Sequence, residues 1–142
     1  MDDNMEMLSV VAETAWMGHN TLLQLQDMTQ NEAFKAFLRI QLKAYDIVLN
    51  ETRIQYEARG EQLPEESTWN KMMTFMGIKI DTMMDKSTRH IADMLIQGSN
   101  QGIMELTKAN KDYPGAEAPV KSLAEKLLVM LERNVEELKT FL

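Results

Sequence analysis

The sequence predicts an all-α protein, a bundle of four long helices with one extended connection. Apolar residues recur at alternating steps of three and four in four separate segments, the pattern of amphipathic helices that share a core. Only 3 prolines occur among 142 residues, and Pro64, Pro114 and Pro119 each lie in or beside a predicted connection. A chain of this length suits one domain, residues 1–142, with a sizeable core.

The first helix is predicted from about Asp3 to Met28, followed by a short turn in which Thr29 or Asn31 is placed to cap the next helix. Its apolar seam comprises Leu8, Val11, Ala15, Gly18, Leu22 and Leu25. The alternating steps of this seam indicate a helix with one buried face.

The second helix is predicted from about Asn31 to Arg59, and Gly60 is placed to end it. It carries two apolar stripes side by side, one of Ala33, Phe37, Ile40, Ala44, Ile47, Ile54 and Ala58, the other of Phe34, Leu38, Tyr45, Val48 and Tyr56. An apolar arc of this width predicts a helix buried against two neighbours.

A methionine-rich segment follows the loop around Pro64 and predicts a shorter helix, with a break around residues 85–87. Its helically spaced residues are Trp69, Met72, Met73, Met76, Ile80, Met83 and Met84. Methionines most often fill irregular cores or adaptable contact surfaces, which we favour over copper binding. We expect this helix to cover one flank of the bundle, or to form an interface with a second chain through Trp69, Met72, Met73 and Met76.

The third long helix is predicted to begin near Thr88 and the last to span about Glu117 to Leu142, with the strong breaker Pro114-Gly115 between them. The third has the seam Thr88, Ile91, Leu95, Gly98, Gly102, Leu106 and Ala109, and the last has Val120, Ala124, Leu127, Leu131, Asn134, Leu138 and Phe141. The connections are short, long and short in turn. The long connection allows the second and third long helices to run parallel.

The segments "HIADMLIQGSNQGIMELTKANKDYPG" and "LAEKLLVMLERNVEELKTFL", with the helix lengths and connectivity of nearly the whole chain, resemble the ferritin-like four-helix-bundle superfamily. They are similar to small bacterial members that have no established activity. The resemblance implies a ferritin-like bundle with a short Met-rich helix in the crossover between the second and third long helices. Metal-binding members carry a Glu from each of two helices and Glu-x-x-His from the other two. Here Trp16 precedes His19 and Ser87 precedes His90 at that spacing, so the di-iron motif is absent.

Two groups of residues on the third long helix are candidates for packing or binding. Gly98 and Gly102 lie on the seam, and each mid-helix glycine costs about 1 kcal/mol relative to alanine, which favours close approach of a neighbouring helix over ligand binding. His90, Gln97 and Gln101 lie along one flank and are candidate ligand-binding residues, together with the core Asn134 of the last helix. These residues could instead have a purely structural role. His90, Gln97 and Gln101 would then lie at a solvated edge or form hydrogen bonds to another helix, and Asn134 would fix the register of the helices.

The alternative interpretation is a metal-binding protein or an oxidoreductase with an atypical carboxylate and histidine site. Glu51 interrupts an apolar stripe, Glu105 lies near the seam of its helix, and His90 or His19 would complete a set of oxygen and nitrogen ligands suited to zinc or iron. Gln41, Tyr45 and Tyr56 are further polar groups available on the second helix. No cofactor follows from the main interpretation.

The amino-acid composition argues against several classes of function. A net charge of -7 disfavours nucleic acid and anionic membrane surfaces as partners, and the absence of cysteine excludes disulfides, thiolate metal sites and cysteine nucleophiles. The acidic start "MDDNMEM" lacks the apolar segment of a signal peptide, so we expect a cytoplasmic protein. The predicted function is that of a non-catalytic binding or assembly protein that forms a homo-oligomer.

Overall fold

The computed structural model describes residues 2–65 and 83–142, and all regular structure in these two ranges is α-helical. The helices are α1 (Asp3–Leu25), α2 (Glu32–Glu57), α3 (Thr88–Asp112) and α4 (Ala118–Lys139). The predicted all-α class with four long helices is thereby confirmed. Most of the methionine-rich helix predicted to follow Pro64, with its interface residues Trp69, Met72, Met73 and Met76, lies outside the described residues. Met83 and Met84, which were placed on that helix, are described and are not helical. No helix in the described ranges combines the length and apolarity that crossing a bilayer requires.

Side-chain caps fix where three of the helices begin. Asp2 Oδ1 accepts a hydrogen bond of 2.9 Å from Met5 N, and Asn31 Oδ1 accepts one of 2.9 Å from Phe34 N. Ser87 Oγ accepts a bond of 3.2 Å from His90 N, and residues 85–87 before it are not helical. Each cap satisfies a backbone N–H that lacks an intrahelical partner. The break predicted around residues 85–87 is therefore present.

Contacts at the helix ends set the direction of each helix. Asp3 Oδ2 accepts a hydrogen bond of 2.7 Å from Gly115 N, so α1 and α4 begin at the same end of the molecule. Arg59 Nη2 lies 3.5 Å from Glu117 Oε1, which brings the end of α2 to that end as well. Since short connections make α1–α2 and α3–α4 antiparallel hairpins, the order is up-down-down-up, with α2 and α3 parallel.

The core runs along the axis between the helices and receives side chains from all four. Its largest fully buried members include Met7, Leu8, Leu25, Phe34, Leu38, Tyr45, Ile91, Leu106, Leu127 and Leu131. Helix α1 packs against each of the other three helices, whereas α2 packs mainly against α1 and α4. The burial of these apolar side chains is the main favourable contribution to the stability of the fold.

The structure corrects one expectation about α2. The stripe that includes Phe34, Leu38 and Tyr45 is buried, but the neighbouring stripe faces outward: Ile40, Ile47 and Ile54 are 65%, 54% and 52% exposed. The expectation that both stripes are buried was wrong because α2 contacts α1 and α4 with one arc only. Among the described residues, a row of isoleucines that are more than half exposed therefore runs along the outside of α2.

Two glycines allow helices to approach closely. A Cβ added at Gly18 on α1 would lie 2.5 Å from Cε1 and 2.7 Å from the hydroxyl of Tyr45 on α2. A Cβ at Gly102 on α3 would lie 2.9 Å from Leu131 Cδ1 and 3.0 Å from Thr14 Cγ2. Gly98, one turn before Gly102, is buried as well. At Gly18 and Gly102 a neighbouring side chain occupies the space that a β-carbon would need.

Candidate functional site

A cleft of about 620 Å³ opens between α2 and α4. Its walls are apolar, and the residues that provide them are Ala44, Ile47, Val48, Val129 and Met130. Gln41 and Asn134 contribute amide groups to its lining, and both residues are more than nine-tenths buried. A mostly apolar recess of several hundred Å³ with a few polar groups is the usual form of a small-molecule site.

The polar base of the cleft continues into the centre of the bundle. The side chain of Asn134 on α4 forms a hydrogen bond with Tyr45 on α2, and burial raises the pKa of the Tyr45 hydroxyl well above its usual range. Gln41, Tyr45, Ser99 and Asn134 also line a small inner cavity of about 10 Å³. The hydroxyl of Tyr45 therefore remains protonated and serves as a neutral hydrogen-bonding group.

Gln41 carries a buried polar atom without a partner in this region. Its Oε1 atom is buried and has no hydrogen-bond partner among the described residues. A buried acceptor without a partner costs about 1–3 kcal/mol, because its hydrogen bonds to water are lost and not replaced. Such an atom beside a cleft marks a place where an added donor would be stabilising.

Charges of both signs surround the mouth of the cleft. Lys126, one of the lining residues, donates a hydrogen bond of 2.6 Å from Nζ to Glu51 Oε1 and so joins α4 to α2. Glu125, Arg133 and Glu137 complete the charged part of the lining. Because the signs alternate, the mouth does not select strongly for an ion of either charge.

The candidate ligand-binding residues lie in separate places. Gln97 and Gln101 are exposed on α3, where they donate hydrogen bonds of 3.3 Å to Asp93 and Glu105 of the same helix. His90 lies in the first turn of α3, at a cleft of about 410 Å³ that Asp93 also lines. Asn134 is inside the bundle with Gln41 and Tyr45, and is not brought together with the other three.

The four candidate metal ligands are likewise distributed over the surface of the bundle. His19 Nε2 lies 2.8 Å from Asp46 Oδ1, while Glu51 is paired with Lys126. His90 and Glu105 are on α3, fifteen positions apart. Within residues 2–65 and 83–142, no group of three or more His, Cys, Asp or Glu side chains is arranged to hold a metal ion. Zinc or iron binding stays a prediction that elemental analysis after re-addition of Zn(II) or Fe(II) tests.

A second, smaller recess of about 190 Å³ lies between α1 and α3 beside Gly102. Glu13 and Glu105 line it from opposite helices. Burial, and to a lesser extent repulsion from the Glu105 carboxylate, raises the pKa of Glu13 above its ordinary value of 4.5. The folded protein therefore holds a proton on Glu13 more tightly than the unfolded chain does.

The substitution Glu13→Gln is expected to raise the stability of the protein at neutral pH. A carboxyl whose pKa is raised by folding stabilises the fold when protonated, and that contribution is lost as the pH rises through the folded pKa. Glutamine keeps the neutral form at every pH. Thermal unfolding should show a higher midpoint for the variant at neutral pH and a gap that closes below pH 4.5. The exposed substitution Glu132→Gln controls for net charge, and a gap independent of pH would contradict the prediction.

Gln41 was predicted only as one of several polar groups available on the second helix, and not as a ligand-binding residue. It occupies the position between Leu38 and Tyr45 in the buried stripe of α2, a step of three from one and four from the other. A polar residue at a seam position was the available signal, and Thr52 shows the same signal further along the stripe. Thr52 is satisfied because its hydroxyl donates to Val48 O at 2.7 Å, whereas Gln41 Oε1 has no such partner among the described residues.

The arrangement suits binding rather than covalent chemistry. The cleft offers amides and apolar walls, and the charged residues of its lining are exposed, so water screens them. The side chain of Lys126 is already bound to that of Glu51. No protein-family model matches this chain, and neither does any curated protein or any solved structure.

Proposed function

We propose that this protein is a non-catalytic binding or assembly protein with a ferritin-like bundle, and that it forms a homodimer through the outer face of α2. The up-down-down-up order with one long crossover supports the ferritin-like assignment. The observation that carries the assembly proposal is the outward row of Ile40, Ile47 and Ile54. Isoleucines seven residues apart form a straight seam, the pattern by which helices of separate chains pack together.

The charges beside this seam favour a second copy in antiparallel orientation. A two-fold axis near Ile47 places Ile40 of each copy against Ile54 of the other, as an isologous interface requires. Arg39 precedes Ile40, and Glu57 lies three residues beyond Ile54 on the same flank of the helix; both are exposed. The same register therefore brings Arg39 of one copy alongside Glu57 of the other, twice per dimer, which fixes orientation as well as affinity.

Paired substitutions on α2 test the dimer. Ile40→Lys and Ile54→Glu are each expected to weaken dimerisation about 100-fold, because each removes two buried isoleucines per dimer at about 1.4 kcal/mol apiece. The double variant should regain much of the affinity, since the lysine introduced in one copy then faces the glutamate introduced in the other. Sedimentation velocity over a concentration series measures the dissociation constants of the wild type and the three variants.

The matched control is Met104→Lys, which places a lysine at a similarly exposed apolar residue, 51% exposed, on α3. It should leave the dissociation constant unchanged. A wild-type protein that is monomeric throughout the series overturns the assembly proposal. Equal weakening by Met104→Lys, or a double variant weaker than both single variants, overturns the antiparallel register.

A further inference from the structure

We propose that the cleft between α2 and α4 binds an uncharged, mostly apolar small molecule that carries one hydroxyl or N–H donor, with the donor hydrogen-bonded to Gln41. This goes beyond self-assembly, since it assigns a ligand class to a recess within one copy. Three observations carry the proposal: the volume of the cleft, the chemistry of its walls, and the buried acceptor at its base.

The volume and the walls define the body of the ligand. A cleft of about 620 Å³ falls within the range of about 300–1,000 Å³ that is typical of small-molecule sites. Ile47, Val129 and Met130 present aliphatic and thioether groups, and Met130 can adapt to an irregular shape. Apolar surface of the ligand that leaves water here contributes the larger part of the binding energy.

The Gln41 side chain determines which polar group the ligand should carry. Gln41 Oε1 accepts hydrogen bonds and cannot donate them, so a hydroxyl or an N–H group satisfies this atom, whereas a carboxylate or phosphate oxygen does not. Gln41 lines the cleft, and the terminal amide torsion of glutamine is soft, so the amide can turn toward a ligand there. Asn134 also lines the cleft and interacts with Tyr45, whereas Gln41 Oε1 is the buried acceptor of the lining that has no partner among the described residues.

The charged side chains at the mouth of the cleft favour a ligand without net charge. Lys126 is paired with Glu51, and Arg133 lies between Glu137 and Val129 on the same ridge of α4, with Glu125 two turns earlier. A strongly anionic or cationic molecule would meet one like charge for each opposite charge. A neutral molecule meets no such repulsion.

Calorimetric titration with 4-butylphenol and with its methyl ether, 4-butylanisole, tests the proposal. The two probes share the apolar body, but only the phenol donates a hydrogen bond. We expect the phenol to bind the wild-type protein about fivefold more tightly than the ether, the value of one neutral hydrogen bond. Gln41→Leu should remove that difference by weakening the phenol while leaving the ether unchanged or slightly tighter.

A second variant keeps the test decisive if Gln41→Leu does not fold. Val129 is 39% exposed on the wall of the cleft, so Val129→Trp fills the recess without disturbing the core, and it should weaken both probes at least about tenfold. The proposal is overturned if neither probe saturates, if Val129→Trp leaves both affinities unchanged, or if the phenol keeps its advantage in Gln41→Leu. Ile47 belongs to both the seam and the wall of the cleft, but Ile40 and Ile54 do not line the cleft, so their variants distinguish loss of dimerisation from loss of ligand binding.

Discussion

Replacing Phe34 with alanine is expected to lower the free energy of unfolding by about 3–5 kcal/mol, the usual cost of removing a buried aromatic side chain. Phe34 is fully buried in the first turn of α2. Its ring centroid lies 4.7 Å from that of Phe141, just beyond α4, and 6.2 Å from that of Phe37. These three rings close the end of the bundle opposite the contact between Asp3 and Gly115.

Denaturant unfolding followed by helical circular dichroism measures the loss. A cycle with Phe141→Ala should give a coupling energy of about 0.5–1.5 kcal/mol, because tilted aromatic pairs interact beyond the area that they bury. Phe37→Ala, at a half-buried ring, is the matched control and should cost clearly less. A loss below about 1 kcal/mol for Phe34→Ala would mean that the ring is not part of the core.

Gly18→Ala is expected to destabilise the protein by about 2–3 kcal/mol, although alanine in a helix interior normally gains about 1 kcal/mol over glycine. The new Cβ would lie 2.5 Å from Cε1 and 2.7 Å from the hydroxyl of Tyr45, whose ring is surrounded by core residues. The ring has to move, and its movement strains the hydrogen bond to Asn134 at the base of the cleft. The cost combines overpacking with a weakened buried hydrogen bond.

A compensating substitution isolates the cause. In a Tyr45→Leu background the ring is gone, so Gly18→Ala should become neutral or stabilising in the same unfolding experiment. Gly102→Ala serves for comparison: its Cβ meets the methyl ends of Leu131 and Thr14 at 2.9 Å and 3.0 Å, which yield more readily than an aromatic ring. An equal loss from Gly18→Ala in both backgrounds would contradict contact with Tyr45 as the cause.

Helix positions could be predicted from the sequence because they depend on local signals. Periodicity located α2 and α3 to within a few residues, and the cap at Asn31 and the break before Thr88 follow from residues adjacent in the chain. The choice between the two stripes of α2 could not be predicted. Both have the period of a helix, and only the placement of α1 and α4 decides which one is buried.

In the candidate site too, single residues could be predicted from local signals, but their partners could not. Asn134 was identified because it interrupts a heptad core, but its partner Tyr45 lies 89 positions earlier, and no local pattern connects the two. Glu51 was selected as an acid in an apolar stripe, and the Lys126 ammonium that pairs with it comes from another helix. Long-range pairings of this kind depend on the crossing of helices, which a single sequence does not encode in any local window.

The parallel arrangement of α1 and α4 governs how the protein bears mechanical load. Both helices begin at the same end, and α4 then runs 22 residues, about 33 Å, toward the other. A force applied between Asp2 and Leu142 therefore slides α1 along α4 in shear. Side-chain contacts along the length of the two helices resist at once, so the fold should withstand stretching from these points far better than peeling from one end of a hairpin.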